Sequence, residues 1–256
     1  MLDYAAFPEQ RQALIRQILR EQGRVVCVDL ARQMQVSEHT IRRDLHELSK
    51  EGLCKKVYGG AVLQLPEADA FQQRKQQNHA EKDRIAKQCA ALVKSDSCIF
   101  VDAGTTNLAM VLALPEQLSL TVVTNAPDIA AVLLKHPNID VIMLGGHIQK
   151  KSGGCVGNTA IEQLRNIIFD QAFIGGCAMS PDSGLTGFDF ADCEFKKAAI
   201  KQSNQTIVGL TADKIPAVAR FTVAGCEQIN VLVVEESLNK EFYNAFRDEN
   251  ITLITV

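Results

Sequence analysis

Residues 36–53 carry the side chains whose types and spacing point most directly to chemistry. Ser37 can cap a helix, because its hydroxyl accepts hydrogen bonds from the first free backbone N–H groups. Three apolar residues follow at i, i+4 and i+7, which places Ile41, Leu45 and Leu48 on one buried stripe. One face of this helix therefore predicts a core contact. The opposite face carries His39, Arg42, Arg43 and His46.

Arginine side chains on that face favour an anionic partner. Their planar forks match phosphate oxygens and guanine edges in a geometry that a single ammonium group cannot provide. A solvated charged face is the alternative interpretation, and the helix alone does not exclude it. A shorter helix predicted over residues 28–34 precedes this one, with about three residues between them. Two such helices, the second with exposed basic residues, form the helix-turn-helix pattern of DNA-binding proteins.

A hairpin is predicted after the second helix. Two short β-prone runs flank Gly59-Gly60, and such a pair of small residues suits a tight turn. Lys55 and Lys56 lie on or beside this hairpin. Taken alone, the two lysines would be interpreted as an ordinary solvated pair. Beside a helix-turn-helix, the hairpin becomes a wing whose lysines would approach the sugar-phosphate backbone.

Composition and charge are consistent with a protein that contacts nucleic acid locally. The 256 residues suggest one or two domains, and the formal net charge is −3. Residues 1–63 contain ten Lys and Arg against eight Asp and Glu, so a mildly basic head precedes an acidic body. The eight cysteines show no C-x-x-C spacing, which favours reduced core thiols in a cytoplasmic protein. No apolar run approaches the ~18 residues of a membrane span, so we expect no membrane partner.

The chain divides into three predicted segments. Residues 1–63 form the helix-turn-helix head, and Pro8 and Gly23 suit the start and end of its first helix. Residues 64–80 are polar, with Pro66 near their start, and predict a partly helical linker. Residues 81–256 alternate short apolar strands with helices, which predicts an open, mostly parallel α/β sheet with helices on both faces. The predicted strands are 98–102, 120–124, 140–144, 171–174, 206–210, 230–234 and 251–255, and the helices are 81–93, 106–114, 127–134, 159–167, 192–202 and 238–248.

Small and polar residues follow four of these strands. Asp102 to Thr106, Thr124-Asn125, Gly145-Gly146 and Gly175-Gly176 each stand where a strand ends. Ligands of open α/β sheets bind outside the carboxyl ends of the strands, and N–H groups at a helix N-terminus bind anions. One Gly-Gly pair alone indicates only a tight turn, but four such ends predict a small polar ligand that bears a phosphate. No G-x-G-x-x-G or G-x-x-x-x-G-K-[ST] pattern is present, so we expect no nucleotide cofactor.

The head resembles the DeoR family of bacterial transcription regulators. The resemblance is carried by Val36-Ser37-Glu38, Thr40 to Leu45, Leu48, Gly52-Leu53 and Gly59-Gly60-Ala61. It implies binding to operator DNA, usually as a repressor of a sugar-metabolism operon. The residues predicted to contact DNA are Ser37, Glu38, His39, Thr40, Arg42, Arg43, His46, Lys55 and Lys56.

The body is similar to the effector domain of the same family, which is related to ribose-5-phosphate isomerase. This resemblance implies a phosphorylated sugar as effector, with Gly104, Thr105 and Thr106 around the phosphate. Lys214 resembles a lysine near the ligand, although its segment is one residue shorter than the family pattern. The residues predicted to bind effector are Asp102, Gly104, Thr105, Thr106, Thr124, Asn125, Gly145, Gly146, Gly184, Glu194 and Lys214.

Three functional hypotheses follow. The favoured one is a ligand-responsive, non-enzymatic repressor that acts as a homo-oligomer, a dimer or a tetramer, because helix-turn-helix proteins bind repeated half-sites. The second is a sugar-phosphate isomerase with an accessory head, although similarity of fold does not establish activity. The third is a constitutive DNA binder whose cavity only stabilises an oligomer.

Overall fold

The computed structural model describes residues 7–64, 71–75, 77 and 79–256. The described part of the N-terminal head contains three helices and three short strands. They are α1 (Pro8–Gln22), β1 (Arg24–Val26), α2 (Cys27–Met34), α3 (Glu38–Lys50), β2 (Cys54–Val57) and β3 (Gly60–Leu63). The strands pair antiparallel in the order β1-β3-β2, so β1 extends the predicted hairpin to a three-stranded sheet.

The ends of the head helices follow from local chemistry. Pro8 occupies the first turn of α1, and Gly23 ends it in the left-handed region at φ 71°. The Ser37 hydroxyl accepts the backbone N–H of Thr40 at 3.1 Å and caps α3, as predicted. Ile41, Leu45 and the other apolar residues of the α3 stripe are buried in the head core.

Part of the predicted linker lies outside the described residues, namely 65–70, 76 and 78. The described part contains a short helix, α4 (Phe71–Arg74), and leads into α5 (His79–Ala91). Phe71 is buried, and a Cβ on Gly153 would lie 2.8 Å from its ring. The Lys82 ammonium donates to the backbone oxygens of Arg74 and Gln77, each at 2.6 Å, which ties the C-terminal end of α4 to α5.

The body is built on a parallel sheet of seven strands, each within one residue of its predicted ends. The body strands are β4 (Cys98–Val101), β5 (Leu120–Thr124), β6 (Ile139–Met143), β7 (His147–Gln149), β8 (Gly154–Val156), β9 (Gln171–Ile174), β10 (Ala178–Ser180), β11 (Gly184–Gly187), β12 (Thr206–Gly209), β13 (Phe221–Ala224), β14 (Val231–Val234) and β15 (Thr252–Thr255). The large sheet has the order β15-β14-β12-β9-β4-β5-β6, and every neighbouring pair in it is parallel.

Helices cover both faces of this sheet, as predicted. The remaining body helices are α6 (Thr105–Leu112), α7 (Pro127–Leu133), α8 (Asn158–Leu164), α9 (Phe190–Lys201) and α10 (Lys240–Asp248). Residues from α5, α6 and α7 pack with Val101 in one core cluster. Residues from α8, α9 and α10 pack with Phe100 in the other. Successive side chains of a strand point to opposite faces, so adjacent residues of β4 belong to different cores.

Two small antiparallel sheets were not predicted. One is the β7-β8 hairpin, and the other has the order β10-β11-β13. Each of their strands has three or four residues, which is too short for an alternating pattern to be recognised in the sequence. The β7-β8 hairpin has a direct bearing on the site, because the Cys155 N–H donates to the Asn125 backbone oxygen at 2.7 Å and holds the hairpin over the end of β5.

Head and body are in contact through a few specific groups. The Val218 N–H donates to the Leu63 backbone oxygen at 3.1 Å. Arg24 of β1 forms an ion pair with Glu241 of α10, and its guanidinium carbon lies 5.2 Å from the centroid of the Phe242 ring. The strands β1 and β3 of the head therefore have a defined position against the body.

No described helix is long and apolar enough to cross a membrane. All eight cysteines are free, and burial raises the pKa of the Cys89 and Cys226 thiols to about 12. Within the described ranges, no cluster of three or more His, Cys, Asp or Glu is placed to hold a metal ion.

Candidate DNA-binding face and anion-binding cavity

The predicted DNA-binding face of α3 is open to solvent. His39, Arg42, Arg43 and His46 are all exposed, on the side of the helix opposite the head core. Glu38 pairs with Arg42 one turn further along, with the carboxylate 2.7 Å from the guanidinium. The Ser37 and Thr40 hydroxyls lie 2.9 Å apart at the N-terminus of α3. The body leaves this face uncovered, so the geometry permits a duplex to approach it.

The wing places its lysines as predicted. Lys55 and Lys56 are exposed on β2, and Tyr58 at the tip of the hairpin is fully exposed. Gly59 has φ 78° in the turn, a conformation that favours glycine. The nine predicted DNA contacts thus occupy α3, its cap and the wing, and their contact with DNA remains a prediction.

A buried ion pair that the sequence reasoning missed holds α3 in place. Arg11 of α1 pairs with Asp44 of α3, and both side chains are only 5% exposed. A second guanidinium N–H donates to the Asp44 carboxylate at 3.0 Å, and the Gln12 amide lies 3.3 Å from the same oxygen. Bidentate pairs of this kind fix orientation as well as contributing energy. The pair locks the angle at which α3 crosses α1.

In the body, a cavity opens at the carboxyl ends of β4, β9 and β12. It has about 710 Å³ of empty space, counting its open mouth. The N-terminus of α6 forms one wall, with Gly104, Thr105 and Thr106 where the sequence predicted them. The other lining residues are Arg74, Ala103, Asn107, Lys151, Ser152, Gly175, Gly176, Cys177, Phe188, Asp189, Asp192, Lys196, Gly209 and Lys214.

Positive charge dominates this lining. Arg74, Lys151, Lys196 and Lys214 contribute four cations, against two carboxylates from Asp189 and Asp192. The Lys214 ammonium donates to the Gly176 backbone oxygen at 3.1 Å. Burial lowers the pKa of Lys214 because desolvation disfavours its charged form, and the nearby Arg74 also lowers it. An anion in the cavity would stabilise the charged form of this lysine.

Asp102, Lys196 and Asp192 form a buried charged group at the inner wall. The Lys196 ammonium forms an ion pair with Asp192 and lies 3.5 Å from the Asp102 carboxylate. Burial raises the pKa of Asp102 to about 7, although the charge of Lys196 and the Gly175 N–H at 2.9 Å oppose the rise. Burial disfavours the Lys196 charge, but the two carboxylates outweigh it and raise the pKa of that ammonium. Lys196 therefore stays charged.

Three predicted effector residues shape the site without lining it: Asp102, which is fully buried behind the wall, Thr124 and Asn125. The Thr124 hydroxyl donates to the Val101 backbone oxygen at 2.6 Å and accepts the Ala126 N–H at 3.1 Å. The Asn125 amide accepts the Ala103 N–H and donates to the Cys155 backbone oxygen, both at 3.0 Å. Both side chains are fully buried. They fix the loop after β5 and the hairpin that covers it.

The remaining predicted residues lie away from the cavity. The Gly145 N–H donates to the Gln163 side chain at 3.0 Å, and a Cβ on Gly146, which is not part of the cavity lining, would lie 3.0 Å from the Val156 backbone oxygen. Gly184 lies at the start of β11, where a Cβ would meet the Ala224 backbone oxygen at 2.1 Å. Glu194 pairs with Lys197 at 2.7 Å on the outer side of α9. Their role in binding remains a prediction that this geometry does not favour.

Helical spacing would have revealed one missed residue. Lys196 lies three residues after Cys193 and four before Ile200, so all three share the buried side of α9. Lys197 falls on the exposed side and pairs with Glu194. Asp192 lies one turn before Lys196 and reaches the same wall. By contrast, no local signal marks Arg74 or Lys151, because long-range packing brings α4 and the β7-β8 hairpin to the cavity.

Comparison with known proteins identifies the family. Residues 11–66 match the family model described as the DeoR-like helix-turn-helix domain, and residues 77–236 match the DeoR C-terminal sensor domain. The chain belongs to the DeoR family. It is 33% identical over 247 residues to the HTH-type transcriptional regulator GolR of Listeria innocua, covering 96% of this chain and 97% of that one. It is 27% identical over 245 residues to the glycerol-3-phosphate regulon repressor of Escherichia coli, with 95% and 97% covered.

One solved structure aligns with most of the chain. The sorbitol operon regulator SorC from Klebsiella pneumoniae aligns over 93% of this chain and 98% of that chain, with a TM-score of 0.43 and 12% identity. This structural similarity is too distant to inform function. The DeoR-family relatives are named as transcriptional regulators, so this chain is a DNA-binding regulator and not an enzyme. The isomerase hypothesis is set aside on that ground.

Proposed function

We propose that this DeoR-family regulator represses a carbohydrate-metabolism operon and that a phosphorylated sugar releases it from its operator. The observation that carries the proposal is the cavity at the carboxyl ends of β4, β9 and β12, where Thr105 and Thr106 begin α6 beside four cationic side chains. The first N–H groups of a helix have no partner within it and carry partial positive charge. A phosphate is the anion that such an arrangement suits best.

Acceptors for sugar hydroxyls stand in the same cavity. Asp189 and Asp192 lie in its lining. Within the described part of the chain, the Asp192 Oδ1 atom is buried and accepts no hydrogen bond. Buried polar atoms without partners are unfavourable, so a ligand hydroxyl is a fitting partner once the carboxylate turns toward the cavity. The proposed ligand therefore combines a phosphate at α6 with hydroxyl groups near α9.

The relatives support the same class of ligand. One of them is named for the glycerol-3-phosphate regulon, and glycerol 3-phosphate is a small phosphorylated polyol. The predicted effector residues Gly104, Thr105, Thr106 and Lys214 line the cavity, and we propose that they contact the phosphate. From the geometry we add Arg74, Lys151, Lys196 and Asp192 to the proposed binding residues.

The test is an operator-release assay across a panel of phosphorylated sugars and polyols. Labelled operator DNA is bound by the protein and then titrated with each compound. We expect at least one phosphorylated compound to release the DNA, and its unphosphorylated form to have no effect. Failure of the whole panel, both in release and in a thermal-shift screen, would favour a constitutive DNA binder.

A matched pair of variants assigns the effect to the cavity. Thr106→Val removes a hydroxyl from the wall at α6, whereas Thr159→Val removes an exposed hydroxyl from α8. We expect Thr106→Val to require more of the releasing compound and Thr159→Val to behave as the wild type. Equal release curves for the two variants would remove α6 from the proposed phosphate site.

The proposal includes a homo-oligomer. Each chain presents a single recognition helix, and helix-turn-helix regulators usually bind paired half-sites as dimers. Light scattering on the purified protein should give a mass of two or four chains. A monomer at operator-saturating concentration would contradict this part of the proposal.

A further inference from the structure

One loop of the body reaches from the effector cavity to the head. We call residues 211–218 the coupling loop. At its cavity end, Lys214 lines the wall and donates to the Gly176 backbone oxygen at 3.1 Å. The Ala212 N–H donates to the Glu235 carboxylate at 2.6 Å, which anchors the start of the loop to the body. Lys214 is thus the part of the loop that a ligand would meet.

The other end of the coupling loop contacts the head. This contact begins at Pro216, two residues after Lys214. Gly23 at the end of α1 packs so closely on Pro216 that a Cβ there would lie 2.6 Å from the Pro216 backbone oxygen. The Val218 N–H donates to the Leu63 backbone oxygen at 3.1 Å, and Val218 pairs with Gln64 in a parallel bridge. The Leu63 N–H in turn donates to the Gly23 backbone oxygen at 2.7 Å. The head is therefore held at the ends of both α1 and β3.

The docked position of the head is compatible with DNA binding. His39, Arg42 and Arg43 face solvent while these contacts with the body are made. Docking also fixes the direction in which α3 points relative to the body. A regulator that must place two recognition helices on two half-sites depends on that direction. Loosening of the docked head would therefore weaken operator binding without covering the basic face.

We propose that the coupling loop carries the effector signal to the head, with Lys214 as the positioning residue. The inference rests on the proposed function. A phosphate in the cavity is a stronger partner for the Lys214 ammonium than the neutral Gly176 carbonyl, because charge-assisted hydrogen bonds are the stronger kind. Movement of Lys214 toward the ligand shifts Pro216 and Val218, which weakens their contacts with Gly23 and Leu63. The ligand then binds the undocked form better than the docked form, as any ligand-driven shift requires.

The first test compares two lysine variants. Lys214→Met keeps a long side chain but removes the charge from the cavity, and Lys87→Met makes the same change on the exposed side of α5. Operator affinity is measured with and without the panel compound that releases the wild type, at concentrations that calorimetry shows to be saturating for each variant. We expect the wild type and Lys87→Met to lose about tenfold or more in operator affinity, within the usual range of allosteric coupling.

For Lys214→Met we expect the ligand still to bind at the N-terminus of α6. Because the coupling free energy would then be close to zero, the ligand should change the operator affinity of this variant by less than about twofold. Full release from ligand-saturated Lys214→Met would overturn the proposal. If this variant no longer binds the compound, hydrogen exchange of the wild-type protein tests the proposal instead, because it requires no substitution.

The second test follows single backbone amides of the wild type by hydrogen exchange. The Val218 N–H donates the hydrogen bond that joins the body to Leu63 of the head, whereas Val208 lies within β12. Saturating sugar phosphate should speed exchange at Val218 and leave Val208 unchanged. Release of the operator without faster exchange at Val218 would contradict the coupling loop and leave the proposed function standing. If no compound binds or releases the wild type, the proposed function itself has failed.

Discussion

The α3 face and the body cavity both present positive charge, but they do so in opposite ways. On α3 the cations stand in solvent, and the Arg42 side chain is 64% exposed. In the cavity the Lys196 side chain is 5% exposed and is held between two carboxylates. Exposed cations attract a polyanion over a long range and are screened by salt. Buried cations are fixed in advance and suit one small ligand.

The two regions also differ in what their charges contribute to stability. Exposed pairs such as Arg42 and Glu38 contribute little, because water and salt screen them. The buried group of Asp102, Lys196 and Asp192 is different, since the loss of one member leaves unpaired charges in a low-dielectric interior. This contrast predicts that substitutions on α3 change binding, whereas substitutions at the inner cavity wall change stability as well.

Of the variants considered, Lys196→Met should have the largest effect on stability. A small effect would contradict the contrast between the two regions. It leaves the Asp102 and Asp192 carboxylates without their cation, so we expect the free energy of unfolding to fall by ~3–5 kcal/mol. Urea denaturation measures the change. Lys197→Met is the control on the same helix, because Lys197 is exposed and pairs with Glu194. Equal unfolding midpoints for the two variants would show that the buried group has no special role.

Arg43→Ala should act on binding alone. Loss of a base-reading guanidinium typically weakens specific operator binding by ~1–3 kcal/mol and leaves the fold intact. The measurement is operator affinity at several salt concentrations, beside the unfolding midpoint. Arg165→Ala is the control, because Arg165 directly follows α8 and is likewise exposed. If Arg43→Ala binds operator like Arg165→Ala, α3 is not the recognition helix.

Ser37→Ala should have a smaller effect, confined to the start of α3. The variant leaves the Thr40 N–H without its cap, and an N-cap of this kind is worth ~1 kcal/mol. Hydrogen exchange of the first α3 amides should become faster by the corresponding factor. Ser49→Ala, near the other end of the same helix, should leave those amides unchanged. No difference between the two serine variants would mean that Ser37 does not stabilise the helix.

The weakest predicted effect is a pH dependence of ligand binding. Burial lowers the pKa of Lys214, so its charge disappears at a lower pH than that of an ordinary lysine. A phosphate ligand favours the charged form, so affinity should fall as the pH rises through the depressed pKa of the free protein. Arginine stays charged throughout this range. Calorimetry should therefore show a flatter alkaline profile for Lys214→Arg than for the wild type, and identical profiles would exclude Lys214 as the titrating group.

The head and the sheet could be predicted from the sequence because their signals are local. Ser37, the spacing of Ile41 and Leu45, and the glycines at 23 and 59 each determine the conformation of a few neighbouring residues. The continuous apolar runs likewise indicated all seven strands of the large sheet. The strand β1 was not predicted, because it has only three residues and they pair with β3, which lies about 35 residues further along the chain.

The cavity was only partly predictable, for a different physical reason. Thr105 and Thr106 stand where a predicted strand gives way to a predicted helix, so their position at the carboxyl end of the sheet was predictable. Arg74 and Lys151 reach the cavity because the Arg74 guanidinium donates to the Lys151 backbone oxygen at 2.8 Å, a contact between segments 77 residues apart. Thr124 and Asn125 have the expected residue types, but the β7-β8 hairpin lies over them. No local pattern reports which strand ends a distant hairpin will cover.

The most direct test of the coupling between the two regions is calorimetric titration of the releasing sugar phosphate into free protein and into operator-bound protein. Binding free energies are reciprocal, so a ligand that releases DNA must bind the free protein more tightly than the bound one. We expect a difference of about tenfold or more in Kd, the same factor by which the ligand weakens operator binding. Equal Kd values in the two titrations would show that the cavity and the α3 face act independently.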